Sequence, residues 1–193
     1  MTNTVKKIVI GLVGLFVIVI LIMTWFYPYS IFSISKSYSF TPDSVVADEY
    51  LKDLNEFKNT YEKDLEELTT DRNIDLTTDR TQYLLPLYEQ DWLVSTEPLK
   101  MSMEDLDEIL FEVKNNRKIL LELLGREDYT KEHRQYLINN LESLLSLEEE
   151  IIDIKTEKAE SLKTLKIQFG NLHGSFVNNF MMFEIFYERF QGE

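Results

Sequence analysis

The sequence contains no cysteine, and this absence excludes several kinds of chemistry at once. A chain without thiols forms no disulfide, offers no thiolate ligand to a metal, has no cysteine nucleophile and carries no lipid on cysteine. Glycine and proline are also scarce, at 6 and 4 residues, whereas Leu, Glu, Lys and Ile are abundant. This balance of residues indicates long helices rather than a sheet.

Motifs for catalysis and for metal binding are missing as well. The two histidines, His133 and His173, belong to neither a Glu-x-x-His nor a His-Glu-x-x-His sequence, the usual helical metal-binding patterns. The chain also lacks a Gly-x-Ser-x-Gly motif, a phosphate-binding loop and a dinucleotide-binding fingerprint. We therefore expect a protein that is not an enzyme and that uses no cofactor and no metal.

Acidic residues are absent from the first part of the chain and abundant in the rest. The first of them is Asp43, although the whole chain has 34 acidic and 20 basic residues and a net charge of −14. Such an acidic surface repels nucleic acid and anionic lipid head groups. The sequence therefore predicts no nucleic-acid partner.

The acid-free part contains an uncharged run from Ile8 to Tyr27. As a helix, this run is about 30 Å long, which matches the hydrocarbon core of a bilayer. A cleaved signal peptide is the main alternative, but its apolar region would span only roughly 7–15 residues and small residues would follow it. We predict a membrane anchor at residues 8–27, represented by Ile8, Leu15, Ile22, Trp25 and Tyr27.

Lysines near the run predict how it is oriented. Lys6 and Lys7 precede it within the short segment 1–7, and only Lys36 lies near its far end. Positively charged flanks stay in the cytoplasm, so the N-terminus is expected there and the acidic part outside the cell membrane. Residues 28–40 alternate polar and apolar residues and are predicted to form an extended spacer or a short strand.

The remaining residues, 41–193, predict an all-α architecture, an elongated acidic bundle of about four helices outside the membrane. The predicted helices run from about Pro42 to Leu68, from Ser102 to Gly125, from Thr130 to Phe169 and from Ser175 onward. Ser102 and Asp105 resemble a capping box. The sequence "GNLHG" at 170–174 is predicted to break the chain, and residues 69–101 are predicted to form a long loop.

The last predicted helix carries aromatic residues at helical spacing. Phe176, Phe180, Phe183 and Tyr187 follow one another at steps of 4, 3 and 4, which favours a stripe that completes the core. A docking surface is the alternative, because Met181 and Phe186 widen the apolar surface and are candidates for partner contact. A helix lying on the membrane surface is least favoured, because such helices carry several basic residues on the polar face.

The predicted loop is too apolar for a free linker. Its aromatic residues Tyr83, Tyr88 and Trp92 are expected either to pack over the bundle or to form a partner-binding site. Both interpretations remain open from the sequence.

The expected function is protein–protein interaction by a membrane-anchored helical protein. It would act as an accessory or assembly factor of an envelope complex, or as an immunity or exclusion protein. Its expected partners are the lipid bilayer and other envelope or membrane proteins, and a homo-oligomer is possible. The alternative is a ligand-binding sensor domain that works through a partner signalling protein. A pocket with convergent polar groups would favour the sensor, and an exposed apolar patch would favour the interaction protein.

Overall fold

The computed structural model describes residues 3–71, 75–126, 129–157 and 160–192. Within these ranges the chain is all-helical, as predicted, apart from one small two-stranded sheet. The helices are α1 (Asn3–Phe26), α2 (Ser44–Asp71), α3 (Leu76–Tyr88), α4 (Asp91–Val94), α5 (Met103–Arg126), α6 (Lys131–Thr156) and α7 (Leu162–Gln191), and the strands are β1 (Ser37–Phe40) and β2 (Leu99–Ser102).

Helix α1 stands apart from the rest of the molecule. None of its residues is buried, and it is long and apolar enough to cross a membrane, judged by length and composition. The predicted anchor residues Ile8, Leu15, Ile22 and Trp25 lie within it, and Tyr27 follows one residue after its end. An apolar helix of this kind is stable in water only when something covers it, and no residue in the described ranges buries it.

Of the two structures predicted for residues 28–40, the structure has the short strand, β1, and the segment packs on the domain rather than forming a free spacer. Tyr29 is buried and its hydroxyl donates a hydrogen bond to the Met101 carbonyl oxygen at 2.8 Å. β1 pairs antiparallel with β2, and the strand's alternation places Tyr38 and Phe40 on the buried side. There the Tyr38 ring stacks on Phe169 of α7 at 5.1 Å between centroids. The domain therefore begins directly after α1.

Residues 69–101 are not a loop either, because α3, α4 and β2 lie within them. Asp75 caps α3, and its Oδ1 accepts a hydrogen bond from the Thr78 backbone N–H at 2.8 Å. Thr77, Thr78 and Thr81 lie on the buried face of α3. Pro86 stands in the last turn of α3, where its missing N–H removes one helical hydrogen bond, the one to the Gln82 carbonyl oxygen.

The break between the last two predicted helices lies earlier in the sequence than expected. α6 ends at Thr156 and α7 begins at Leu162. Ser161 caps the start of α7, because its Oγ accepts a hydrogen bond from the Thr164 N–H at 3.3 Å. Gly170 and Gly174 are helical residues inside α7. The reason is a single buried stripe that continues across both glycines, formed by Leu165, Phe169, Leu172, Phe176, Phe180, Phe183 and Tyr187. Packing this stripe requires an unbroken helix and outweighs the roughly 1 kcal/mol that each glycine costs.

Helix α7 lies against α6, and α6 in turn packs against α5. α3 packs on α5, and α2 covers α3 and α4. The predicted capping box at the start of α5 is confirmed, because Ser102 N–H donates to Asp105 Oδ2 at 2.7 Å and Asp105 N–H donates to Ser102 Oγ at 3.2 Å. The N-terminal half of α5, fixed in this way, forms one side of the candidate site.

Candidate functional site

The structure places the predicted aromatic stripe of the last helix inside the core. Phe176, Phe180, Phe183 and Tyr187 each have no exposed surface. Their rings contact α2 and α4 as well as the helices beside them, and Phe57 of α2 meets Phe180 edge-on at 5.7 Å. Such ring contacts add to the burial of large apolar area.

Three of the five residues predicted to bind a partner, Tyr88, Trp92 and Phe186, are buried in the domain. Tyr88 and Trp92 are buried because α3 and α4 fold over α7, so their rings cover its aromatic stripe. Phe186 has no exposed surface and packs against Tyr129, at a centroid distance of 5.6 Å. The remaining two candidates lie on the surface, with Tyr83 53% exposed and Met181 47% exposed.

A groove of about 760 Å³ lies between α4, β2 and the first half of α5. Its apolar floor comes from Trp92, Met101 and Ile109, which are buried beneath it. Phe111 also lines the groove but is 61% exposed, so its ring offers a free apolar surface. Exposed aromatic rings beside a concave apolar floor are typical of sites that bind another molecule.

The rim of this groove is strongly acidic. One lysine, Lys100, faces the carboxylates of Asp91, Asp105, Asp107, Glu108 and Glu112. Asp107 forms an ion pair with Lys155 of α6, so part of the negative charge is compensated. The excess of carboxylates around an apolar floor favours a ligand that is both cationic and apolar.

The local sequence explains this arrangement. The capping box begins α5 immediately after β2, and it fixes the Asp105 carboxylate against the Ser102 N–H. Asp105, Glu108 and Glu112 then recur at steps of three and four, so they share one side of α5. Strand pairing of β2 with β1 holds the opposite wall of the groove in place.

Gln90 lines the groove beside Trp92. Its Oε1 accepts a hydrogen bond from Trp92 Nε1 at 2.7 Å, which orients the amide group. The Nε2 group is buried and meets no acceptor within the part of the chain that the structure describes. An unpaired buried amide costs about 1–3 kcal/mol, so Gln90 is an energetically costly part of the groove wall.

The histidines belong to the packing rather than to a reactive site. His173 lies in α7, and its Nε2 is 3.0 Å from the Leu93 carbonyl oxygen. Burial lowers the pKa of His173, although the Leu93 hydrogen bond opposes this shift. His133 is buried beside Tyr129. Among residues 3–71, 75–126, 129–157 and 160–192, no group of three or more His, Asp or Glu side chains is placed to hold a metal ion.

Comparison of the chain with protein-family models, with curated proteins and with solved structures finds no match. Function is therefore inferred from two features of the molecule itself, the apolar helix α1 and the acidic groove.

Sequence reasoning missed most of the groove residues. Asp105 was recognised only as a helix cap, and Glu108 and Glu112 only as part of a generally acidic surface. Phe111 carried a usable signal, because it lies off the apolar stripe formed by Leu106, Ile109, Leu110 and Val113. An aromatic residue on the polar side of an amphipathic helix has no partner within that helix and often contacts another element or another molecule.

Proposed function

We propose that this protein is a single-pass membrane protein whose helical domain binds a second protein through the acidic groove. In this proposal, α1 crosses the cell membrane with its N-terminus in the cytoplasm, and the domain lies outside. The lack of any buried residue in α1 supports a lipid environment, and Lys6 and Lys7 at its start support the orientation. The protein acts as an accessory or assembly factor, or as an immunity or exclusion protein, and not as an enzyme.

The groove carries the proposal. Its floor of Trp92 and Ile109, together with the exposed ring of Phe111, fits apolar side chains of a partner. Its carboxylate rim fits Lys or Arg side chains that flank those apolar residues. A segment with alternating apolar and basic residues would fill both parts.

The position of the groove indicates what kind of protein binds there. Met101 in its wall accepts the hydrogen bond of Tyr29, which follows the end of α1 by three residues. With α1 in a bilayer, the groove therefore lies close to the membrane surface. The partner is accordingly a second membrane protein that presents a basic and apolar segment near the bilayer.

Site-specific photocrosslinking in native membranes tests this proposal. A photoreactive residue in place of Phe111 should attach to one partner protein, whereas the same residue at Ile167, which is 55% exposed on α7 and outside the groove, should not. With the purified partner, Glu108→Lys combined with Glu112→Lys should weaken binding by about tenfold or more, and added salt should weaken it too.

The control is a matched charge reversal on α6, Glu142→Lys combined with Glu149→Lys, which should leave affinity almost unchanged. Both control residues are exposed and lie outside the groove. Equal crosslinking at positions 111 and 167 would contradict binding at the groove. Equal affinity of the two charge-reversed double variants for the partner would contradict it too.

A ligand-binding sensor domain is the second candidate, and the polar groups that converge on the groove favour it. The side chains of Gln90, Asp91 and Asp105 line one concave surface. A small cation with a carbonyl group would then raise the unfolding temperature of the protein without any second protein. If only a protein segment stabilises the domain, the sensor function is wrong.

A further inference from the structure

The turn that joins α1 to β1, here called the juxtamembrane turn (residues 27–35), presents apolar side chains on one side. Ile31 is 71% exposed, Phe32 is 47% exposed and Ile34 is 72% exposed. Tyr29 and Ser33 in the same turn are buried against the domain. The turn therefore has one face packed on the protein and one apolar face that the described chain leaves uncovered.

Hydrogen bonds hold this turn against the end of α1. The Ile34 N–H donates to Thr24 Oγ1 at 3.1 Å, so the chain folds back beside the last turns of the helix. Lys36 then closes the turn, because its Nζ donates to the Ser30 carbonyl oxygen at 2.7 Å. Lys36 has a φ of 47°, a left-handed conformation that a lysine adopts only when its surroundings favour it.

The fold-back places the apolar face within the depth of a bilayer. If Lys7 marks one boundary of the membrane, Thr24 lies about 25 Å further along the helix axis. The hydrocarbon core is about 30 Å thick, so Ile34, bonded to Thr24, lies at its far edge. The sequence agrees, since no charged residue occurs between Lys7 and Lys36, and the uncharged run thus includes the whole turn.

We propose that Ile31, Phe32 and Ile34 insert into the membrane at the C-terminal end of α1 and seat the domain on the lipid surface in one orientation. This inference rests on the proposed membrane span of α1. Continuity with that helix identifies the lipid as the occupant, and the acidic domain favours zwitterionic over anionic lipid. Because Tyr29 connects the same turn to Met101, the groove is held at a fixed height above the bilayer.

The absence of native cysteine makes a depth measurement straightforward. Single cysteines at Ile18, Ile31, Ile34 and Ile167 of the full-length protein are labelled with a small fluorophore and placed in phosphatidylcholine vesicles. All four side chains are well exposed in the structure, so labelling disturbs no packing. Quenching is then compared between lipids that carry a nitroxide at a shallow or at a deep position.

We expect the labels at positions 31 and 34 to be quenched several-fold more strongly by the shallow nitroxide than the label at 167. The label at position 18 should be quenched by the deep nitroxide. If position 18 is quenched while positions 31 and 34 behave like 167, α1 spans the membrane but the juxtamembrane turn does not insert, and the proposal is wrong. If position 18 is not quenched, the span itself is wrong, and the inference is overturned with it.

A second copy of the chain is the other possible occupant of the apolar face, and dilution distinguishes it from lipid. Diluting the labelled protein with protein-free vesicles separates copies without changing lipid contact. Quenching at positions 31 and 34 that stays constant on dilution supports lipid insertion. Quenching by lipid that appears only after dilution shows that a second copy covered the turn, which overturns the proposal.

Discussion

The hydroxyl of Tyr88 donates a hydrogen bond to Oδ1 of Asn179 at 2.8 Å, and both side chains are buried. The amide of Asn179 also bonds Asn140 of α6, whose own Nδ2 donates to the Asn179 carbonyl oxygen at 3.1 Å. Tyr50 of α2 donates to the Tyr88 carbonyl oxygen at 2.8 Å. The network thus joins α2, α3, α6 and α7 at one level, and it favours the one helix register in which every member is paired.

Removing one hydroxyl from this network should destabilise the fold measurably. Tyr88→Phe leaves Asn179 Oδ1 without its donor in the core, which should lower the free energy of unfolding by about 1–2 kcal/mol. Denaturant unfolding of the full-length protein in detergent measures this change. The control is Tyr83→Phe, which removes a hydroxyl from a side chain that is 53% exposed. Equal unfolding midpoints for the two variants would show that the network adds nothing to stability.

Truncating the aromatic stripe of α7 should be more costly. The Phe180 ring contacts Tyr50 at 5.4 Å, Phe57 at 5.7 Å and Tyr88 at 5.3 Å, so its removal empties the centre of the core. We expect Phe180→Ala to lower the free energy of unfolding by about 3–5 kcal/mol. Met181→Ala, next to it on the exposed side, should change it by less than about 0.5 kcal/mol. Similar unfolding curves for both variants would contradict the core position of Phe180.

The start of the folded domain can be tested by comparing two fragments. A fragment that begins at residue 28 keeps Tyr29 and β1, whereas one that begins at residue 41 loses three buried aromatic side chains, namely Tyr29, Tyr38 and Phe40. The longer fragment should be more stable by at least about 3 kcal/mol, the cost of emptying one aromatic site. Urea unfolding measures the difference. Equal midpoints for the two fragments would mean that residues 28–40 add no stability and act only as a spacer.

Glu184 makes stability depend on pH. Partial burial, together with the nearby carboxylates of Glu188, Asp53 and Glu56, raises the pKa of its carboxyl group from the ordinary value of 4.5 to about 7. Between these two pKa values the folded state binds more protons than the unfolded state, so the contribution of Glu184 to stability falls as pH rises. It is fully present below pH 4.5 and lost above about pH 7.

Glu184→Gln should therefore stabilise the protein at about pH 8, where the wild-type carboxylate is ionised among like charges. Because the side chain is only partly buried, solvent screening limits the expected gain to about 1 kcal/mol. At about pH 4 the two proteins should unfold alike. The control Glu142→Gln on the exposed side of α6 should show little change at either pH. A gain of equal size at both pH values would rule out the titration of Glu184 as its cause.

Local signals in the sequence predicted some elements well and missed others for identifiable reasons. The start of α5 was predictable because Ser102 and Asp105 form reciprocal bonds within four residues. α3 was missed because its threonines suggest turns, whereas in the fold Thr77 is buried and its Oγ1 is 2.6 Å from the Tyr129 hydroxyl oxygen. That partner lies 52 residues away, so no local pattern reveals it.

The candidate site was less predictable than the fold. The groove forms where β2, α4 and α5 meet, and this meeting depends on the pairing of β1 with β2 across the chain. Helical spacing places Glu108 and Glu112 on one side of α5, but it does not indicate that an apolar floor lies beside them. The uncharged run at the N-terminus, in contrast, was visible from composition alone because a membrane-spanning helix needs no distant partner.

The two glycines in the middle of α7 give the sharpest test of where the chain turns. The sequence pattern predicts a break at 170–174, whereas the structure has Gly170 and Gly174 in a continuous helix. A methyl group added at either glycine would meet no atom within 4 Å apart from its chain neighbours and the adjacent backbone of its own helix. Since alanine loses less backbone freedom than glycine on entering a helix, Gly170→Ala and Gly174→Ala should each stabilise the protein by about 0.5–1 kcal/mol.

Gly192, at the C-terminal end of α7, is the matched control. A methyl group there would lie 3.2 Å from the Glu188 carbonyl oxygen, so Gly192→Ala should bring no comparable gain. Thermal unfolding of the three single variants and of the Gly170→Ala/Gly174→Ala double variant measures the effect. Because both sites are open and separate from the aromatic stripe, the double variant should gain about the sum of the two single changes. A lower melting temperature for both internal variants would mean that the chain turns at these glycines, and that α7 is two helices.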